Sequence, residues 1–337
     1  MKSLMKASLA ANGRANNVRG SDVSVRVGVV EIGSRAVRLL VADISEKAGL
    51  QPLLTKAVET QLMESVRRGA ESTRQALVRV SDVVSDFRRK MASLNVERST
   101  VFGTQAMREV TSLVEFRDLP IHADVKLLDQ RTEAQCSLVA AVMGRSAPPL
   151  QSVLVIDQGA GSLELASGEC HPSVKMLDFV SLELGGDKLL SLLQEGKLSI
   201  SKFRSRLAPK ITEMKIKHGP IEKVIVQGSV STKCAWLTVR HDKTEIYNPR
   251  RVHGANLRAK NLHDMVSLVE TISPAKWADF RANVEPRNPR SMEFDQLIAG
   301  VVVLLLLLEH FDKDEFEVSA QGTRHGVAWQ LAFPSLF

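Results

Sequence analysis

The feature that most constrains this chain is a unit that occurs twice: a β-branched run that ends in an acid and a glycine turn. Glu31-Ile-Gly-Ser34 closes the run over residues 23–32, and Asp157-Gln-Gly-Ala-Gly-Ser162 closes another over residues 152–157. A second apolar run follows each turn, over residues 36–44 and 162–166. Glycine lets the chain turn with its N–H groups exposed, and several N–H groups aimed at one point form a nest for an anion. An acid beside that nest can hold a divalent cation that bridges to phosphate. Either turn alone reads more readily as an ordinary hairpin turn. Two of them at equivalent places point to phosphate.

Around these turns the two halves repeat a common order. Three closely spaced runs (residues 23–32, 36–44 and 51–59) predict a β-meander. Apolar residues at helical spacing (Leu77, Val80, Val84, Phe87, Met91) predict one long helix over residues 68–94. Strands over residues 99–103 and 125–128, each followed by helical pattern, complete the first half. Gly144-Arg-Ser-Ala-Pro-Pro149 is the clearest linker. Beyond it strands are predicted at 152–157, 162–166, 175–181, 223–227 and 315–319, with helices between. The expected fold is therefore α/β, with two domains facing each other across a cleft. The length of 337 residues suits two cores better than one.

Composition narrows the partners. The formal charge of +7 favours an anionic ligand. Aromatic residues make up only 4% of the chain, with one Tyr, which disfavours nucleic acid bound by base stacking. Cys136, Cys170 and Cys234 are scattered and odd in number, and read as reduced thiols of a cytoplasmic protein. The apolar run 297–308, bounded by Asp295 and Glu309, is too short to span a membrane and reads as a buried helix. Residues 1–22 are basic and rich in small polar residues, and read as a disordered lead-in.

Eight short motifs, in order, give these features a family. Glu31-Ile-Gly-Ser-Arg-Ala-Val-Arg-Leu39 resembles D-I-G-S-N-S-x-R-L, and Gly103-Thr-Gln-Ala-Met-Arg-Glu109 resembles A-T-S-A-x-R-x. Asp129-Gln-Arg-Thr-Glu-Ala134 falls at S-G-x-E-E-A, and Asp157-Gln-Gly-Ala-Gly-Ser-Leu-Glu164 is close to D-I-G-G-G-S-T-E. Ser181-Leu-Glu-Leu-Gly185 matches S-x-x-L-G, and Gln227-Gly-Ser229 sits at a G-G-T turn. Asp295 with Ala299-Gly300, and Val318-Ser-Ala-Gln-Gly-Thr-Arg-His-Gly326, resemble R-A-D-x-I-x-x-G and V-S-x-x-G-L-R-x-G. From about residue 25 to residue 331 the chain resembles the exopolyphosphatase/guanosine pentaphosphate phosphohydrolase (Ppx/GppA) phosphatases, of the actin, sugar kinase and heat-shock ATPase superfamily. It is similar to the short members, which lack a helical carboxy-terminal region.

The resemblance implies two actin-like (ribonuclease H-like) domains, each a mixed five-stranded sheet with flanking helices. The first would cover residues 23–144 and the second residues 145–322, with a helix over about 323–337 packing back on the first. It implies hydrolysis of a terminal phosphoanhydride bond of inorganic polyphosphate or a phosphorylated guanosine nucleotide, with magnesium (Mg2+). Position by position, Glu133 falls on the glutamate that activates water, Glu164 on a second functional glutamate, and Arg108 on an arginine near the phosphate. Gly33, Ser34, Arg35, Gly159, Ala160, Gly161 and Ser162 fall on the phosphate loops, and Glu31 and Asp157 on their metal-binding acids. A homodimer stays open.

Several positions depart from the pattern. Glu31 replaces Asp, Arg35 replaces Asn, Ala160 replaces Gly and Leu163 replaces Thr. Gln130 and Thr132 stand for Gly and Glu. An Ala at position 160 would strain the loop if the turn needs positive φ there. Arg35 either grips a longer polyanion or fills the site and blocks metal. A second function class therefore stays open: a protein that binds or senses polyphosphate or an alarmone nucleotide without turnover. A kinase of the same superfamily lacks an adenosine-pocket signature here. The basic residues of segment 240–258 form either a lip that steers a polyanion or a solvated loop.

Overall fold

The computed structural model describes residues 24–110, 124–145, 149–171, 173–195, 199–239, 245, 247–271 and 294–336. The lead-in, the middle of the Gly144–Pro149 linker, and Arg240 and Lys243 of the basic segment lie outside them. The chain opens with the meander β1 (Val25–Ile32), β2 (Ala36–Ser45) and β3 (Gly49–Glu59), all antiparallel. Helices α1 (Leu62–Arg68) and α2 (Ala70–Ser93) follow, then β4 (Arg98–Gly103), α3 (Gln105–Val110), β5 (Val125–Leu127) and α4 (Gln130–Met143). β4 and β5 add in parallel beside β1, giving the order β3-β2-β1-β4-β5.

The predicted long helix is α2, and a short helix that was not predicted, α1, precedes it. Gly69 stands between α1 and α2 with φ 108, a conformation that glycine alone adopts without strain. The apolar stripe of α2 (Leu77, Val80, Val84, Phe87, Met91) is buried against the sheet, so the periodicity was read correctly and only the start was misplaced.

The second half contains β6 (Ser152–Gln158), β7 (Leu163–Glu169), β8 (Lys175–Leu182), α5 (Gly186–Glu195), α6 (Ile200–Thr212) and β9 (Lys223–Gly228). It continues through α7 (Ser229–Val239), α8 (Pro249–Val252), β10 (Asn256–Arg258), α9 (Ala259–Thr271), α10 (Phe294–His310), β11 (Glu315–Ser319) and α11 (Thr323–Ala332). Its sheet runs β8-β7-β6-β9-β11-β10. The first five strands repeat the order and the parallel or antiparallel sense of the first sheet. β10 is a sixth strand, three residues long and antiparallel to β11.

The apolar run lies within α10, where every residue from Leu297 to Leu308 that carries a hydrophobic side chain is buried. A helix apolar on all sides is stable only when surrounded. α10 packs against α5, α6, α7 and α9 within one large cluster that includes Phe203, Leu207 and Phe316. No helix among the described residues is long and apolar enough to cross a membrane. The three cysteines are free thiols, and burial pushes those of Cys136 and Cys234 up to about 12.

Helix α11 leaves the second sheet and packs on β1 and α4, with Val327, Ala328 and Trp329 in one cluster with Val27, Val29 and Val139. Gly326 makes this approach possible, because a Cβ there would stand 1.9 Å from the Cys136 carbonyl oxygen. Gly326→Ala is expected to cost about 1–3 kcal/mol of stability in chemical denaturation, as overpacking of a tight contact does. Unchanged stability would mean that α11 does not sit on α4.

Candidate active site

Each acid–glycine turn is a tight hairpin. The Gly33 N–H donates to the Ala36 carbonyl at 3.1 Å, and the Gly159 N–H donates to the Ser162 carbonyl at 3.0 Å. Each loop is also pinned by the start of the helix that follows its meander. Thr60 and Gln61 donate to the Arg35 carbonyl and Met63 donates to that of Ser34; Gly186 and Asp187 donate to the carbonyls of Gly159 and Ala160. With their carbonyls drawn off, the amides of Ser34, Arg35, Ala160 and Gly161 have no backbone partner among the described residues. This is the donor set of an anion nest. Ala160 has negative φ, so replacing glycine there strains nothing.

The two loops meet closely. A Cβ on Gly161 would lie 2.4 Å from Gln105 Oε1 and 3.0 Å from Ser34 Oγ, both of the first half; within the second half, one on Gly185 would lie 2.2 Å from the Gly161 carbonyl carbon. Between them opens a cleft of about 540 Å3. Glu31, Gly33, Ser34, Arg35, Glu133, Asp157, Gly159, Ala160, Gly161, Ser162 and Glu164 all line it. The structure thus gathers every sequence-predicted site residue there except Arg108.

The duplication places charge unequally. Glu31 pairs across its hairpin with Arg38, whereas Asp157 pairs across the equivalent hairpin with Glu164. Arg38 Nη1 lies 3.5 Å from one Glu31 oxygen, and Arg324 Nη1 donates to the other at 3.2 Å. The first acid therefore sits between two guanidinium groups. The second faces another acid.

Asp157 Oδ2 accepts from Ser137 Oγ at 2.7 Å and from Thr323 Oγ1 at 3.4 Å. Burial pushes its carboxyl upward, and Glu31 adds to the rise. Glu164, only 4% exposed, accepts from Ser181 Oγ at 3.1 Å. Its carboxyl is pushed far up by burial and by the charges of Glu133 and Asp157.

Glu133 stands in the first turn of α4, whose N-cap Asp129 accepts from the Thr132 N–H at 2.7 Å. Burial again raises its carboxyl well above the carboxylate range, against the pull of Arg108. Arg108 Nη1 donates to Glu133 Oε2 at 3.2 Å and to the Leu128 carbonyl. Arg108 therefore orients Glu133 from behind and does not line the cleft.

Several residues here were not singled out from the sequence. Ser137, Thr323 and Arg324 touch the acids, and Gln105 touches the loop. Gln105, Thr323 and Arg324 lay within quoted motifs, which was the one signal available. Of the basic segment, Arg251 bonds to Glu245 and lies 5.2 Å over the Trp236 ring, so it belongs to its own fold. Tyr247 and Pro249 line the far end of the cleft.

Comparison with known proteins matches the Ppx/GppA phosphatase family over residues 40–332. The chain belongs to that family. Its fold superposes on the Ppx/GppA phosphatase of Aquifex aeolicus with a TM-score of 0.73 at 22% identity, covering 91% of this chain and 99% of that one. It is 22% identical over 321 residues to exopolyphosphatase 1 of Mycobacterium tuberculosis, covering 90% of this chain and 87% of that protein. It is 22% identical over 318 residues to a bifunctional 3-dehydroquinate synthase/phosphatase of Fusobacterium nucleatum, covering 88% of this chain. The chain spans 45% of that longer protein.

The raised carboxyls of this Ppx/GppA chain predict its stability against pH. A carboxyl whose folded value lies above its unfolded value stabilises fully below the unfolded value and loses this as pH rises through the folded one. For Glu164 that window runs from 4.5 to about 8. The ligand-free protein should therefore melt lower as pH rises across this window, and Glu164→Gln should flatten the decline and gain stability at its upper end. A wild-type melting temperature that rises across the window would contradict this.

Proposed function

We propose that this protein hydrolyses the terminal phosphoanhydride bond of inorganic polyphosphate or of a phosphorylated guanosine nucleotide. The observation that carries the reading is the Glu133 carboxyl, buried in the cleft wall, held by Arg108 and raised to where it can accept a proton near neutrality. The amides of the two loops hold the terminal phosphate. Water attacks its phosphorus, Glu133 takes the proton, the bridging P–O bond breaks, and the shortened chain leaves with the electron pair. Glu164, fixed by Ser181, holds the water on its other side. Arg38 and Arg324 are guanidinium groups in the cleft wall whose positive charge offsets that of the phosphate.

A divalent cation fits this site. Gln227 Nε2 donates to the Ser137 carbonyl at 2.8 Å, which leaves its buried Oε1 without a partner. That oxygen and Asp157 Oδ2 lie 3.8 and 3.9 Å from the point that a Cβ on Gly322 would occupy. Two oxygens facing a space left by glycine suit a hard cation such as Mg2+. Among the described residues no three carboxylate, histidine or cysteine side chains form a full cage, so phosphate and water would complete the shell. When bound, the cation would neutralise charge on the phosphoryl oxygens. Glu31, engaged by two arginines, is the weaker candidate ligand.

That engagement of Glu31 also favours a second reading, binding without turnover. Phosphate release from tripolyphosphate by wild type and Glu133→Gln, beside calorimetric binding, separates the two. Hydrolysis requires release by wild type, reduced about 10²–10⁴-fold in Glu133→Gln with binding retained. Binding by both forms with release by neither would establish the sensor.

The pH dependence tests the base directly. Activity should rise with pH along a limb whose midpoint is about 7, because the carboxyl must be ionised to act. Arg108→Ala should move this limb upward, since Arg108 stabilises the ionised form. A limb that stays in place or moves downward would remove Glu133 from the role of base.

A further inference from the structure

Arg35 is the departure from the family pattern that sequence alone left with two opposite meanings. The structure gives it a third. Its Nη1 donates to Gln296 Oε1 at 3.1 Å, on α10 of the opposite half. Gln296 Nε2 donates in turn to Asp187 Oδ1 at 2.9 Å. The amide is oriented by this chain, with its carbonyl towards the cation and its NH2 towards the anion. Gln296 is 2% exposed. Gly186 leaves room for it, since a Cβ there would lie 2.7 Å from Gln296 Nε2.

One end of this chain of bonds lies in a glycine loop, and the backbone at the other end is hydrogen-bonded to the second loop. Arg35 is itself in the first loop, where its carbonyl is pinned by Thr60 and Gln61. The Asp187 N–H donates to the Ala160 carbonyl of the second loop at 2.9 Å. The bonds therefore run from loop to loop across the cleft through one buried amide.

We propose that Arg35, Gln296 and Asp187 form a tie across the cleft that fixes the spacing of the two phosphate loops before substrate enters. Arg35 is then a positioning residue whose charge is committed to the opposite half. The tie deepens the phosphoanhydride reading and rests on it for its effect on affinity, but its effect on loop spacing does not depend on that reading. Pre-organised donors bind an anion without the cost of ordering them. Losing a hydrogen bond to a charged group therefore weakens binding about tenfold.

The test has two readouts. Calorimetry with tripolyphosphate and magnesium would compare wild type, Arg35→Ala, Gln296→Leu and the double variant. Spin labels at exposed Lys47 and Lys210, one on each half, would report their spacing in a Cys170→Ser background. The tie predicts that each single variant binds about tenfold more weakly and that the double variant is no weaker than the worse single one. It also predicts a narrow distance distribution in wild type that broadens in Gln296→Leu.

Were Arg35 itself the phosphate ligand, Arg35→Ala would weaken binding while Gln296→Leu left it unchanged or tighter, and the proposal would be overturned. If wild type binds no tripolyphosphate, the phosphoanhydride reading fails and the spin labels alone decide. Broadening in Gln296→Leu then upholds the tie, and an unchanged distribution overturns it. Gly186→Ala, which crowds Gln296 without removing a charge, should reproduce the broadening if Gln296→Leu folds poorly.

Discussion

Everything in the cleft follows from confining carboxylates where water is scarce. Glu31, Glu133, Asp157 and Glu164 come within interaction range of one another, and burial raises the proton affinity of the last three. The fold sets two arginines on the first, Arg38 opposite it in the hairpin and Arg324 on its other oxygen, and one, Arg108, on Glu133. The other three can all be ionised only when positive charge joins them. In the function proposed here, a cation bound together with phosphate would supply that charge and release protons as it binds. The same confinement that costs stability in the empty protein thus raises Glu133 to where the proposed base must titrate.

Holding these acids in place requires two hairpins at a fixed separation, and the duplicated topology provides it. In each half the meander carries the acid to the loop, and the start of the next helix captures the loop carbonyls. Glycine is required where segments come closest: at 161 because Gln105 of the first half leaves no room for a side chain, at 185 because the Gly161 backbone of its own half leaves none, and at 326 because α11 presses on α4. Helix α11 closes the arrangement by carrying Thr323 and Arg324 from the end of the second sheet to the acids of both halves.

Much of this was legible in the sequence, for a local reason. Strand–turn–strand units and an all-apolar helix write themselves into contiguous residues, so both hairpins, the meander strands and α10 could be read directly. The short helix α1 could not, because its seven residues carry barely two helical periods. β10 was missed because three residues carry no alternation pattern. Glu133 was singled out by resemblance alone, since an acid in a first helical turn has nothing local to distinguish it from a dipole partner. The reach of Arg108 to Glu133, of Arg324 to Glu31 and of Arg35 to Gln296 spans 25, 293 and 261 positions, and no spacing rule covers such contacts. Ala160 shows the converse: a departure that looked costly in the sequence sits at an ordinary backbone conformation.

The central claim is that water activated in this cleft attacks the terminal phosphorus of a phosphoanhydride chain. Turnover of tripolyphosphate in water enriched in oxygen-18, followed by mass analysis of both products, tests it most directly. The account predicts one heavy oxygen in the released orthophosphate and none in the remaining pyrophosphate. Label in the pyrophosphate, or no turnover by protein that binds the chain, would contradict it.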